Sequence, residues 1–316
     1  MVDLFNNERN NFMDTQLATI TTDNYDLMAS AMGMGKTTNT DSSITIPRMK
    51  IEHRPIMDTV DAKGKKRQME VVPGGTFALT DNNGDVHYSE GITFRPFLQR
   101  FRYVRWVPFN RVDEMGRKGK FIKSVFSTQD TFNSSDHMDT DGGFNCGRPS
   151  GYIKDWKALP EATQRLISSV KRVRTLFGIA SSNEAVNEKG EPLDDPINMP
   201  VIWEINNKDA FKVMGEAVQQ YFSAKRLLPE HSMTITTEGT PMANGNMLFA
   251  PIASVDLSKK IDISEEDQDT FRNFVEWVEG QNTWIKTQYE EKSSGVDFSK
   301  VEEQVIDEFV TVAEEL

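Results

Sequence analysis

Residues 92–111 read ITFRPFLQRFRYVRWVPFNR. Five arginines, Arg95, Arg100, Arg102, Arg105 and Arg111, are interleaved there with Phe94, Phe97, Phe101, Tyr103, Trp106 and Phe109. Aromatic side chains favour the pleated, half-buried surface of a sheet, so the stretch reads as strand even with few β-branched residues. A period of two sets Arg100, Arg102, Val104 and Trp106 on one face and Phe101, Tyr103 and Arg105 on the other. Cations and rings therefore occupy both faces, which a strand that only covers a core does not need. Guanidinium groups match phosphate oxygens, and exposed rings offer stacking surfaces to unpaired bases. Those are the two requirements for gripping a single strand of nucleic acid without reading its sequence. The alternative is an amphipathic strand with its rings inward and its arginines in water.

Upstream, residues 44–51 form a strand pattern whose Pro47 predicts an edge or a bulge. Residues 62–67 read as a basic turn. Val71 to Leu79 is a strand pattern broken at Pro73-Gly74-Gly75, and Asn83-Gly84 predicts a hairpin turn before the strand beginning at Val86. Short strands with sharp glycine turns predict a small barrel or sandwich. Downstream, residues 111–151 read as loop with a long insertion. They hold a second basic turn with Lys118 and Lys120, and a glycine-rich run, Gly142 to Pro149, whose Arg148 suits a phosphate or belongs to ordinary coil. Leu166, Val170, Val173 and Phe177 fall at helical spacing and predict a helix over 159–177, with Arg165, Lys171, Arg172 and Arg174 as a solvated face or the extension of a positive groove.

The rest alternates. Pro200 to Ile205 reads as strand, and Lys208 to Phe222 as a helix with Phe211, Met214, Val218 and Phe222 inward. Ser232 to Thr237 and Asn246 to Leu257 read as strands that complete the sheet. Ser264 opens a long helix with Asp267 three residues on, a near-capping box. Phe271, Phe274, Val275, Val278, Ile285 and Tyr289 form its inner stripe, while Trp277 and Trp284 pack on the main domain or on a second subunit of a homodimer. The expected organisation is a flexible arm (1–43), one α+β domain (44–290) and an acidic tail (291–316).

The 316 residues carry a net charge of −12, an average that hides segregation. Arg95 to Lys123 holds nine Lys/Arg against two acids, whereas Glu290 to Leu316 holds nine acids against two lysines. A basic site and an acidic tail that competes for it, or recruits another protein, follow from that layout. The single Cys146 excludes an internal disulfide, and His53, His87, His137 and His231 are scattered, so no metal or other cofactor is expected. No apolar run of about 18 residues is present to span a membrane. The first residues, MVDLFNNERNNF, lack a secretory pattern, so an intracellular location is expected. Gly35-Lys36-Thr37 imitates the end of a phosphate-binding loop, but Ser30 stands where the first glycine belongs and a strand pattern follows. Acidic runs at 81–85 and 137–148 fail calcium-loop spacing. No acid/base pair or triad stands at a recognisable spacing, so the expectation is a non-catalytic protein.

The stretches PRMKI (47–51), VPGGTF (72–77), FRPFLQRFRYVRW (94–106) and NCGRP (145–149), with the acidic C-terminal segment, resemble the single-stranded DNA-binding proteins of tailed phages, including the T7-type protein. The resemblance is one of arrangement over residues 44–316. It implies an OB-like Greek-key β-barrel, here elaborated with several helices and long loops, that coats single-stranded DNA in replication or recombination. It places Arg95, Arg100, Arg102, Tyr103, Arg105 and Trp106 in the groove. Arg111, Lys118, Lys120 and Arg148 extend the basic surface. Residues 301–316 would be a tail that docks phage replication proteins in the host cell cytoplasm. The inserts at 111–151 and 160–200 and the Glu-Glu-Leu ending depart from that pattern. A second class, a phage virion structural or assembly protein, would use the same mixed surface, the arm and the tail to interlock subunits.

Overall fold

The computed structural model describes residues 45–62, 65–112, 118–130, 146, 153–243 and 245–293. Eleven strands and three α-helices lie among them. The chain is mixed α+β. Its main sheet runs β11 (Met247–Val255), β10 (Met233–Pro241), β6 (Ile92–Val112), β8 (Val170–Ser182), β9 (Ile197–Ile205), β1 (Arg48–Ile51), β4 (Phe77–Thr80), β5 (Val86–Ser89), with β7 (Lys118–Phe126) also paired to β6. β2 (Ile56–Ala62) and β3 (Lys65–Val72) form a separate hairpin. All neighbours are antiparallel except β1 and β9.

The decisive stretch is one strand of 21 residues. Its first part pairs β10 on one edge and β8 on the other, and its register shifts between Pro96 and Leu98, a bulge that bends it. Gly178 sits opposite that bend, where a Cβ would stand 2.4 Å from the Arg95 carbonyl oxygen and 2.6 Å from the Phe94 ring. The β8 partner stops at the Arg105/Val170 pair, whereas the β7 ladder continues to Val112/Lys118. The last part of β6 therefore leaves the sheet as a two-stranded arm. β10 and β11 also continue as a pair beyond Ile235, where β6 no longer pairs with them.

The expected helix over 159–177 is divided. Glu161–Ser169 forms α1, and the chain turns extended at Val170 (φ −81°, ψ 118°) to enter β8. Leu166, Val170, Val173 and Phe177 satisfied a helical period. Val173, Thr175 and Phe177 also satisfy a period of two, and β-branched content decides for strand once both faces can be buried. Both are. On one face α2 (Lys208–Ser223) packs Met214, Val218 and Tyr221 against Phe94, Leu176 and Trp203. On the other, α3 (Glu265–Ser293) lays Phe271, Phe274, Trp277 and Val278 on Phe97, Leu98, Phe177 and Ile202. Each of these fully buried rings contributes roughly 1.5–3 kcal/mol by leaving water. Trp277 is thus settled within its own chain, while Trp284 is 49% exposed. Tyr221, rather than Phe222, is the inward residue ending α2.

Caps fix where the helices start. Asn207 Oδ1 accepts from the backbone N–H groups of Asp209 and Ala210 at 2.9 and 3.1 Å. At α3, Ser264 N–H donates to Asp267 Oδ2 (2.9 Å) and Asp267 N–H to Ser264 Oγ (3.1 Å), the expected box.

Among the described residues the sheet follows an open path and does not close as a barrel. It does curl, because distant strands touch through side chains. Ser89 Oγ lies 2.8 Å from Ser182 Oγ, Thr237 Oγ1 donates to Gly75 O (2.6 Å), and Phe249 N–H donates to His53 Nδ1 (3.2 Å). Two further readings are corrected: residues 118–126 are a strand rather than loop, and Ala62 and Lys65 to Arg67, read as turn, belong to the paired strands β2 and β3.

Candidate nucleic-acid interface

The β6 arginines meet two different fates. Arg95 makes a two-pronged ion pair with Asp267 (2.8 and 3.0 Å) and donates through Nε to the Pro229 carbonyl oxygen (2.6 Å). Arg100 Nε lies 2.8 Å from Asp130 Oδ2. Arg102 pairs with Glu204, which also holds Arg48 at 3.4 Å, and stacks 4.3 Å above the Phe126 ring. All three arginines occupy the α3 side of the sheet, and Arg100 and Arg102 are buried. Burial pulls the Arg100 and Arg102 pKa values down, against the pull of their carboxylates, and burial pushes Asp130 up. The three guanidiniums expected to meet phosphate are therefore already matched inside the protein, where an unmatched charge would be costly.

Further along, the picture changes. Trp106 is 41% exposed on the face that Arg100 and Arg102 share, and Ile122, beside it in the β6–β7 ladder, is 71% exposed. Tyr103 and Arg105 are half-buried on the α2 face. Among the described residues Arg105 has no carboxylate at ion-pair distance. Lys123, Lys171 and Arg172 are exposed around the root of the arm. Arg111, Lys118 and Lys120 belong to the arm by backbone register, with Lys118 opposite Val112 and Lys120 opposite Asn110. Their side chains lie outside the described residues, as do Arg148 and the acidic tail 301–316.

Two residues read from the sequence as helical belong to this surface. Across the β6–β8 ladder Tyr103 faces Arg172 and Phe101 faces Arg174, so each ring of the α2 face stands beside an arginine. Only strand periodicity in 170–182 would have paired them. Arg174 is 8% exposed and lies over both the Phe101 and Phe211 rings, 5.0 and 4.4 Å from their centroids, which are themselves 6.1 Å apart. Its Nη1 donates to Gln99 Oε1. Burial pulls its pKa down to about 10, so it remains a cation at neutral pH.

Cys146 is buried and its thiol donates to the Val125 carbonyl oxygen at 3.7 Å. Among the described residues no three His, Cys, Asp or Glu side chains gather where they could hold a metal ion. No helix among them is long and apolar enough to cross a membrane. Comparison with protein-family models, curated proteins and solved structures finds no match for the chain.

Proposed function

We propose that this chain is a non-catalytic single-stranded DNA-binding protein of a phage, acting in replication or recombination, and that it grips DNA at the root of the β6–β7 arm. The observation that carries the reading is the handover along β6. Arg95, Arg100 and Arg102 are neutralised internally, whereas Arg105 has no carboxylate among the described residues, and Trp106, Lys123, Lys171 and Arg172 are exposed around the point where the strand leaves the sheet. Cations there answer phosphates, and Trp106 stacks on a base, a contact that contributes about 1–3 kcal/mol. Strand connectivity supports an OB-like arrangement: β6, β8 and β9 in succession, then α2, then β10 and β11, with β10 returning to β6. In OB-folds the loops after the first and fourth strands line the nucleic-acid path. The β6–β7 arm occupies the first of those places. The same reading assigns residues 301–316 to docking replication proteins and places the protein in the host cytoplasm.

The test is fluorescence anisotropy with labelled oligo-dT, duplex DNA and single-stranded RNA across a salt series. Preference for oligo-dT, with affinity falling steeply as salt rises, is expected from counterion release. Equal or absent binding of all three probes at low salt would sink the reading.

One observation favours the second reading, a virion structural or assembly protein. Three two-stranded extensions, β2–β3 and the outer parts of β6–β7 and β10–β11, expose Met57, Met69, Ile122, Met242, Met247 and Ile252. Exposed apolar groups on such hairpins suit contacts between subunits. Sedimentation separates the two: regular large assemblies without DNA favour the second, monomers or dimers the first.

A further inference from the structure

Arg95, Arg100 and Arg102 each have a carboxylate. Arg174 is as deeply buried as Arg100 and, among the described residues, has none. Its only side-chain hydrogen-bond acceptor there is the neutral amide oxygen of Gln99, and its Nε has no hydrogen-bond partner. Its guanidinium carbon lies within cation–π reach of two rings. The middle of α2 is also shaped around it: a Cβ on Gly215 would lie 2.5 Å from Nη2. A glycine inside a helix costs about 1 kcal/mol relative to alanine, so the close seat is maintained at some expense.

A buried cation with oriented donors, a neutral acceptor and no acid is an incomplete ion pair. We propose that Arg174 is a phosphate receptor, and that an incoming phosphate displaces the Gln99 amide from Nη1 and completes the pair. This rests on the nucleic-acid reading above and deepens it, by naming the group that anchors a strand phosphate on the α2 face. Exchange of a neutral acceptor for a charged one strengthens the hydrogen bond roughly twofold. The contact is made through Nη1, because Nη2 packs against Gly215 and Nε is buried. Burial supports the same direction, because the depressed pKa of Arg174 has no carboxylate to counter it. Position supports it too: the Phe101/Arg174 pair is the next same-face pair along the β6–β8 ladder from Tyr103/Arg172, and thus in line with the arm root.

The phosphate has two sources, a phosphodiester of DNA or a free phosphate such as pyrophosphate, and the experiment carries an arm for each. Full-length wild type, Arg174→Gln and Gln99→Glu are compared by oligo-dT anisotropy over a salt series and by thermal melting with and without pyrophosphate. Gln99→Glu supplies the missing carboxylate from within. It is expected to raise Tm by about 2–4 °C while weakening oligo-dT about tenfold, as loss of one charge-assisted contact would. Arg174→Gln is expected to weaken binding similarly, to lower the salt slope by about 0.7, and to melt at or above wild type. Unchanged affinity and slope in Arg174→Gln, with wild type binding normally, overturns the proposal and leaves the interface reading intact. A large fall in Tm for Arg174→Gln also overturns it, because the guanidinium is then a strut of the core. If wild type binds no oligonucleotide, the interface reading fails and pyrophosphate decides. A rise in wild-type Tm that is absent in Arg174→Gln supports the receptor with a free phosphate as its ligand, and no rise overturns it.

Discussion

The two faces of β6 use one residue type in opposite ways. On the α3 side, Arg95, Arg100 and Arg102 are locked to Asp267, Asp130 and Glu204, and aromatic side chains of α3 seal much of that layer. On the α2 side, Arg105 and Arg174 sit beside Tyr103 and Phe101 with no carboxylate among the described residues. The difference teaches that an arginine's availability is set by what the fold brings opposite it. A cation already matched in a buried pair is part of the architecture. A cation held without an acid retains its attraction for an anion.

The largest way to break this contrast is to open a matched pair. Glu204→Gln strands buried Arg102 and also releases Arg48. A loss of about 2–4 kcal/mol is expected, discounted because Glu204 is partly exposed. Urea denaturation measures it, and a loss below about 0.5 kcal/mol would mean that the α3-side arginines are not held by their partners. Next comes Trp106→Ala. Oligo-dT affinity is expected to fall roughly 5- to 100-fold, with stability changing by less than about 1 kcal/mol. Equal losses in folding and binding would make the ring part of the core and move the interface off the arm.

Gly215→Ala sharpens the α2 side. In wild type the added methyl meets Arg174 Nη2, and a net loss of about 1 kcal/mol is expected, because overpacking outweighs helix propensity. In Arg174→Gln the sign should reverse to a gain of about 1 kcal/mol. The same sign in both backgrounds, read from paired melts, would show that the guanidinium is not fixed there.

The smallest effect concerns the seat of Arg95. Glu230 neighbours Pro229, whose carbonyl accepts from Arg95, and it pairs with Lys260 at 3.0 Å. Burial raises its pKa, but Lys260 and the Leu227 N–H outweigh burial and hold the carboxyl below its usual value. A depressed acid adds stability above its unfolded pKa and loses it as pH falls through the folded one. Glu230→Gln should therefore flatten the acid limb of stability below about pH 4.5 by less than about 1 kcal/mol. An unchanged acid limb would mean that Lys260 and the Leu227 N–H do not hold the Glu230 carboxylate.

Much of this was legible in the residues. Strand character at 92–111, the alternation of Arg100, Arg102 and Trp106 against Phe101, Tyr103 and Arg105, the Ser264/Asp267 box and the helical stripe through Met214 and Val218 all follow from local rules. Those rules depend on backbone geometry and nearby neighbours, which the sequence carries with it. Other features were not legible. Residues 170–182 satisfied two periods at once, and the choice fell to strand only because helices cover both faces there. Which arginines are matched depended on acids remote in sequence: Asp267 for Arg95, Glu204 for Arg102, and none among the described residues for Arg174. The sequence by itself determined the supply of cations, rings and strand-forming residues. Only the tertiary structure decided which cations are matched and which are left for a partner, because electrostatic matching acts across space over a few ångströms and is indifferent to distance along the chain.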